Sequence, residues 1–150
     1  MKFGGTSVRD AERIKRAAAQ VVKYKTERYG VVVVVSAPGD MTDELIEKAQ
    51  GITPDPSGRE LDMLLATGEQ VSSALLCLAI KSLGIDAISL TGPQAGIRAD
   101  HVHTKARIVD IDPRKLNSEL KKGRAVVVAG FQGLNPYEDI ATLGRGGSDL

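Results

Sequence analysis

Apolar residues recur along this chain with two different spacings, and the spacings separate predicted helices from predicted strands. Over residues 8–29 they follow the 3.6-residue period of an amphipathic helix, and Gly30 is suited to end it. Residues 31–35 are consecutive valines, which is typical of a strand buried on both faces. A short helix is predicted over residues 41–50. The first third of the chain is therefore predicted to be helix, strand and helix.

The longest apolar segment, residues 59–83, predicts a long helix. Gly68 lies in its middle, where glycine costs a helix about 1 kcal/mol relative to alanine, so we expect a bend or two abutting helices there. Cys77 lies on an apolar helical face and is predicted to be a core residue rather than a nucleophile. The inward face of this helix is predicted to contain Leu61, Leu64, Leu65, Val71, Ala74, Leu75, Leu78 and Ala79.

The rest of the chain continues the alternation of helices and strands. Apolar runs and turn residues predict strands over 86–90, 108–111 and 125–129, loops over 91–104 and 130–147, and a helix opened by Asp112 and Pro113 and closed by Gly123. Such alternation predicts an α/β fold whose parallel sheet is covered on both faces. Ligands bind these sheets beyond the carboxyl ends of the strands, which places the candidate chemistry in residues 4–7, 36–40, 91–96 and 130–133.

Composition narrows the classes of function. The chain has 150 residues and a net charge of +1, with no tryptophan and 3% aromatic residues, so nucleic acid is not predicted as a partner. Its single cysteine excludes an intramolecular disulfide and a cysteine-based metal site, and favours a cytoplasmic setting. The longest unbroken aliphatic run, residues 31–35, is too short to cross a bilayer, so no membrane partner is predicted.

The first eight residues, Met-Lys-Phe-Gly-Gly-Thr-Ser-Val, combine a lysine, two glycines and two hydroxyl side chains just before a helix. Glycines allow positive φ and a close approach to a ligand, and consecutive N–H groups at a helix N-terminus suit phosphate oxygens. The alternative is an ordinary strand-to-helix turn with a surface lysine. A second glycine cluster over residues 143–149 favours the phosphate interpretation.

Several common motifs are absent from the sequence. It contains no P-loop, no G-x-G-x-x-G after a strand and no G-x-S-x-G nucleophile elbow. His101 and His103 alternate in a polar segment without a third clear ligand, so no metal site is predicted.

Three segments resemble the signature blocks of aspartokinases, which belong to the amino acid kinase family. They are residues 2–8 (Lys-Phe-Gly-Gly-Thr-Ser-Val), 67–72 (Thr-Gly-Glu-Gln-Val-Ser) and 142–149 (Thr-Leu-Gly-Arg-Gly-Gly-Ser-Asp), and they occur in the family order. Residues 42–45 and 129–131 match as well. The first and third blocks distinguish aspartokinases from acetylglutamate, glutamate and UMP kinases.

The resemblance implies a three-layer α/β/α sandwich with a mainly parallel sheet. It also implies transfer of the γ-phosphoryl group of ATP, with Mg²⁺, to the β-carboxylate of L-aspartate, which yields 4-phospho-L-aspartate for lysine, threonine and methionine biosynthesis. By motif position, Lys2 would contact the phosphates and stabilise the transition state, and Asp149 would organise that lysine. The phosphate turn would be Gly4, Gly5, Thr6 and Ser7, and the aspartate site would contain Ser36, Thr42, Glu69, Phe131, Arg145 and Ser148.

Elementary chemistry agrees with these roles. The carboxylate that attacks the phosphorus has an ordinary pKa of about 3.9, so no general base is needed at neutral pH. Phosphoryl transfer instead requires positioning, and positive charge on the γ-phosphoryl oxygens. Arg145 can hold the substrate α-carboxylate in a bidentate fork, and Glu69 can pair with its ammonium group. Asp149 is interpreted as an orienting residue. The alternatives are a solvated helix charge for Glu69 and an ordinary loop arginine for Arg145.

The resemblance further predicts that residues 1–150 are the N-terminal, aspartate- and phosphate-binding part of a kinase domain. Family members extend through the part that holds adenine and ribose, and usually into ACT regulatory domains. We therefore expect a fragment with little or no kinase activity by itself. Two alternatives stay open, namely a non-catalytic module that binds a substrate or a partner, and another amino acid kinase. A homo-oligomer also stays open.

Overall fold

The computed structural model describes residues 1–144, which form eight strands and four α-helices. The helices are α1 (Ala11–Thr26), α2 (Met41–Gln50), α3 (Gly58–Ser82) and α4 (Arg114–Lys121), and a 3-10 turn covers Gly5–Val8. The strands are β1 (Lys2–Phe3), β2 (Val32–Val35), β3 (Ala87–Leu90), β4 (Ile97–Ala99), β5 (Ile108–Ile111), β6 (Ala125–Ala129), β7 (Gln132–Leu134) and β8 (Ile140–Thr142).

A parallel sheet in the order β1-β2-β6-β3 forms the centre of the fold. One face, with Val33 and Val127, packs against α1 and α3, and the other, with Val126 and Val128, packs against α4. Cys77 belongs to the first of these cores, as the sequence predicts, and burial raises the pKa of its thiol. The three-layer arrangement of helix, sheet and helix confirms the predicted α/β fold.

A second sheet, in the order β5-β4-β7-β8, was not predicted, although its strand β5 was predicted with the observed bounds. It pairs β4 with β5 and β7 with β8 in antiparallel fashion, and β4 with β7 in parallel. The sequence predicts loops over 91–104 and 130–147, where β4, β7 and β8 are found. That prediction is wrong because strands of three residues are too short to show a period of two.

Helix α1 is shorter than the predicted span of residues 8–29. It begins after Asp10, whose side chain accepts a 2.9 Å hydrogen bond from the backbone N–H of Arg13. This is a standard N-cap, which satisfies a backbone donor that the first helical turn cannot pair. The residues before it form the separate 3-10 turn.

Helix α3 is continuous through Gly68, so of the two predicted alternatives the pair of abutting helices is wrong. A Cβ atom at Gly68 would lie 2.8 Å from the Cβ of Ala37 in the turn after β2. Glycine is therefore required for close approach of the helix and this turn.

The predicted inward face of α3 is also partly wrong. Val71, Leu75 and Leu78 are 39%, 43% and 64% exposed, and Ala74 is exposed as well. Leu65 is buried as predicted, whereas Leu61, Leu64 and Ala79 are half-buried. Apolar residues occur on every side of this helix, so their period does not select one face. The buried face also contains polar residues that were absent from the predicted inward face, including Asp62, Glu69, Ser72 and Ser73.

Within residues 1–144, α3 is the one helix whose length and mean hydropathy would allow it to cross a membrane. Half of the most apolar 18-residue segment of α3 is buried inside the protein, and core helices can have the same length and hydropathy.

Candidate active site

The carboxyl ends of β1, β2 and β6 open onto a cleft of about 780 Å³. Five residues predicted to contact substrates line this cleft: Lys2, Ser36, Thr42, Glu69 and Phe131. They come from four separate parts of the chain, and the parallel order of the central sheet brings them together.

Lys2 reaches the cleft from a strand of two residues at the edge of the central sheet. It pairs in register with Val34 of β2, whose N–H donates a 3.0 Å hydrogen bond to the carbonyl of Met1. The N–H of Ser36 donates a 3.1 Å bond to the carbonyl of Phe3. Lys2 and Ser36 are therefore held beside each other by the same ladder.

The glycine pair that follows Lys2 is used differently from the expectation. Gly4 has φ −73°, and Gly5 also lacks a positive φ. A Cβ atom at Gly5 would lie 2.6 Å from the carbonyl oxygen of Ala37, so Gly5 allows two turns to touch. Around Gly4 the space is open. Thr6 and Ser7 line a separate hollow beside α1 rather than the cleft with Lys2.

Glu69 is 3% exposed and is the buried acid of the cleft. Its Oε1 accepts a 3.2 Å hydrogen bond from the N–H of Ala37. Its Oε2 is buried without a hydrogen-bond partner among residues 1–144. Burial raises the pKa of Glu69 to about 7, although backbone N–H groups favour its ionised form. The site therefore offers a buried carboxylate that a cationic ligand group would stabilise.

Asp62 was not predicted to have any role, yet it lies seven residues before Glu69 on the same buried face of α3. It is fully buried and accepts hydrogen bonds from His103, Thr104 and Thr142. Thr104 and its neighbour Lys105 line the cleft. The sequence signal that could have identified this residue is a carboxylate between apolar residues, since Leu61 precedes Asp62 and Met63, Leu64 and Leu65 follow it.

Three predicted residues, Arg145, Ser148 and Asp149, lie outside the described residues. Leu143 and Gly144, which come directly before them in the sequence, line the cleft. The predicted meeting of Lys2 with these three residues stays a prediction.

The described part of the cleft does not by itself form a magnesium site. Its carboxylates are Asp43 and Glu69, and residues 1–144 contain no group of three or more metal-ligating side chains. Magnesium is often bound through substrate phosphates with one or two carboxylates. A magnesium ion at this cleft would therefore be held mainly by phosphate oxygens of a bound ligand.

Comparison with known proteins decides the family. The sequence model of the amino acid kinase family matches residues 1–150. The chain belongs to the amino acid kinase family. Aspartokinase 2 of Bacillus subtilis is 55% identical over 148 residues, which are 99% of this chain and 36% of that protein.

Solved structures agree with this membership. Aspartate kinase from Synechocystis is 48% identical to this chain, with a TM-score of 0.81 over 99% of this chain and 24% of that one. Aspartokinase III of E. coli shares the fold, with 22% identity and a TM-score of 0.81 over 99% of this chain and 44% of that one. This chain thus spans about a third of the length of its curated relatives.

Proposed function

We propose that this chain supplies the aspartate-binding and phosphate-contacting part of an aspartate kinase. The reaction transfers the γ-phosphoryl group of ATP to the β-carboxylate of L-aspartate and yields 4-phospho-L-aspartate, the first step towards lysine, threonine and methionine. The observation that carries this proposal is that a buried carboxylate, Glu69, and a lysine, Lys2, line the same cleft. Support comes from the aspartokinase relatives and from E. coli aspartokinase III, which was solved with aspartate and ADP.

Each side chain has a distinct task in this proposal. Glu69 pairs with the ammonium group of the substrate aspartate. The hydroxyl groups of Ser36 and Thr42 form hydrogen bonds with polar groups of the same substrate. Lys2 contacts the phosphate oxygens and stabilises the charge that develops on them during transfer. Arg145 holds the α-carboxylate, Ser148 contacts the same substrate, and Asp149 orients Lys2.

The attacking group needs no base. The substrate carboxylate is ionised at neutral pH, so the reaction depends on alignment and positive charge. The open space around Gly4 leaves room for phosphate oxygens beside the first turn. The proposal assigns Gly4 and Gly5 to this phosphate contact, and gives Thr6 and Ser7 a peripheral part because they line another hollow.

Lys2→Ala tests the transfer step. In the complete protein that contains this chain, we expect kcat to fall by about a hundredfold or more, the usual effect of removing one preorganised charge donor. Lys23→Ala, which removes an exposed lysine of α1, is the matched control. A coupled ADP assay with aspartate, glutamate and acetylglutamate measures both the rate and the acceptor. Turnover only with another acceptor would indicate a different amino acid kinase, and aspartate binding without turnover would indicate a non-catalytic module.

Proton release tests the role of Glu69. Its pKa of about 7 leaves it mostly protonated at pH 6, and pairing with an ammonium group would ionise it. Calorimetric titration with aspartate in buffers of different ionisation enthalpy should show release of nearly one proton at pH 6, little at pH 8, and none in Glu69→Gln. Equal proton release by Glu69→Gln and the unaltered protein would refute the pairing.

Location and oligomeric state are the last two parts of the proposal. A cytoplasmic location fits the free thiol of Cys77. Homo-oligomerisation stays a prediction, which sedimentation of the complete protein would test.

A further inference from the structure

Asp62 holds the part of the cleft wall that carries Lys105. Asp62 lies on α3, and its partners come from the β4–β5 connection and from β8. The Nδ1 atom of His103 is 2.7 Å from Oδ2, and the N–H of Thr104 donates to both carboxylate oxygens at 3.1 Å. The hydroxyl of Thr142 donates to Oδ1. One buried carboxylate thus joins three separate elements.

The backbone of Thr104 needs such a restraint. Its φ of +64° lies in the left-handed region, which is unfavourable for a β-branched residue. A strained conformation of this kind persists only where surrounding contacts enforce it. The two contacts from Thr104 N–H to the fully buried Asp62 supply that enforcement in a partly buried setting, where hydrogen bonds to a charged group are strong.

The backbone on both sides of Lys105 is held by hydrogen bonds from the adjacent residues, Thr104 and Ala106. Thr104 is bound to Asp62, and the N–H of Ala106 donates a 3.0 Å hydrogen bond to the carbonyl of Thr142. The carbonyl of Ala106 in turn accepts a 3.2 Å bond from the N–H of Gly144. Lys105 is exposed to the cleft, and its ammonium group forms no ion pair within residues 1–144.

We propose that Lys105 binds an oxyanion of the substrates in the same cleft as Lys2, and that Asp62 is the positioning residue that aims it. This inference rests on the proposed kinase function, because both aspartate and ATP are anions and Lys105 adds a second exposed cation to the cleft that Lys2 lines. Asp62 touches neither substrate and acts only through Lys105.

Kinetics of the complete protein test the proposal. Lys105→Gln should raise KM about tenfold, as expected for loss of one charge-assisted contact, with kcat changed by less than about threefold. The substrate whose KM rises, ATP or aspartate, identifies the oxyanion. Unchanged KM for both substrates would overturn the proposal.

A double-mutant cycle separates positioning from a general structural role. Asp62→Ala should raise the same KM as Lys105→Gln, and should raise it less than about twofold further when Lys105 is already Gln. Additive effects on KM would refute action through Lys105. If Asp62→Ala does not fold, Thr142→Val and His103→Leu take its place in the cycle. His103→Asn retains a donor near the Nδ1 position and should restore most of the affinity.

Glu119→Gln is the matched control. Glu119 is also a buried carboxylate with three partners, namely Lys115, Lys122 and Arg124, but it lies on α4 away from the cleft. Its replacement should leave both KM values within about twofold of the unaltered protein. A KM change as large as that of Asp62→Ala would contradict a specific role for Asp62.

A readout independent of catalysis distinguishes failure of this inference from failure of the kinase proposal. Hydrogen exchange at the amides of Thr104 and Ala106 should accelerate in Asp62→Ala and stay unchanged in Glu119→Gln. Calorimetry with inorganic triphosphate and with L-aspartate should show weaker binding of one of them to Lys105→Gln. If the unaltered protein phosphorylates no acceptor, the kinase proposal fails, and these two measurements still decide the role of Asp62 and Lys105.

Discussion

The N-terminal half of α3 is held by hydrogen bonds, whereas its C-terminal half is held by apolar packing. In the first half, Asp62 accepts from three donors, the carbonyl of Ala66 accepts a 2.9 Å bond from Gln132, and Glu69 accepts from Ala37. In the second half, Leu76 and Ile80 are fully buried against α1 and the central sheet.

The two halves of α3 therefore contribute differently, one to the stability of the fold and the other to the geometry of the cleft. Apolar burial is non-directional and scales with area, so the second half anchors the helix without specifying a site. Hydrogen bonds are directional, so the first half fixes the positions of four segments: the turn after β2, the β4–β5 connection, β7 and β8. Substitutions in the two halves should therefore have effects of different kinds.

The largest loss of stability is expected in the apolar half. Leu76→Ala removes a fully buried side chain and leaves a cavity, which should lower the free energy of unfolding by about 3 to 4 kcal/mol. Denaturant titration measures this loss. Substrate KM values should not change, because Leu76 does not line the cleft. Leu78→Ala, on the exposed face of the same helix, should cost far less.

The next effect belongs to the polar half and depends on pH. Burial raises the pKa of Glu69 to about 7 in the folded protein from its ordinary value of 4.5, so the folded state keeps a proton that the unfolded chain releases. Stability should fall as pH rises from 4.5 to 7, by about 3 kcal/mol from this group. Glu69→Gln cannot ionise, so its stability relative to the unaltered protein should rise across that interval.

Glu119 provides a control because its pKa is shifted in the opposite direction to that of Glu69. Hydrogen bonds from Lys115, Lys122 and Arg124 lower the pKa of Glu119 to about 2. Its contribution to stability is complete above pH 4.5 and is lost as pH falls towards 2. Glu119→Gln should therefore alter the acid side of the stability profile. Identical profiles for Glu69→Gln and the unaltered protein between pH 4.5 and 7 would contradict the raised pKa of Glu69.

A smaller effect is expected at the contact between the polar half and the turn after β2. Gly68→Ala places a Cβ atom 2.8 Å from that of Ala37, which should cost about 1 to 2 kcal/mol after the gain in helix propensity. Thermal unfolding measures this cost. Ala37→Gly removes the clashing atom, so the double variant should regain most of the stability. No recovery would show that the contact is not the cause.

The smallest effect is expected at the exposed beginning of α3. The Nε of Arg59 donates a 2.6 Å hydrogen bond to Asp139 in the β7–β8 connection, with half of the arginine side chain exposed. Arg59→Gln should cost less than about 1 kcal/mol, as exposed ion pairs usually do. Its cost should shrink further at high salt. A loss as large as that of Leu76→Ala would erase the distinction between the two halves.

Much of the central sheet was predictable because its cause is local. Four of the five consecutive valines form β2, as their strong strand propensity predicts, and α2 was predicted with its observed ends, Met41–Gln50. The second sheet was missed because its short strands depend on partners far along the chain. The buried face of α3 was missed for the same reason. Hydrophobicity alone predicts that Leu78 is buried and Glu69 is exposed, whereas in the structure Glu69 is buried and Leu78 is exposed.

The sequence by itself determined the alternation of helices and strands, the burial of Cys77 and the motif blocks that place the chain in the amino acid kinase family. Only the tertiary structure decided that Asp62 and Glu69 face inward, that Gly68 serves close packing, and that Lys105 stands in the cleft. Local patterns record which residues prefer burial. Hydrogen bonds between distant segments decide which polar residues are buried instead, because each buried donor or acceptor requires a partner that no short window of sequence contains.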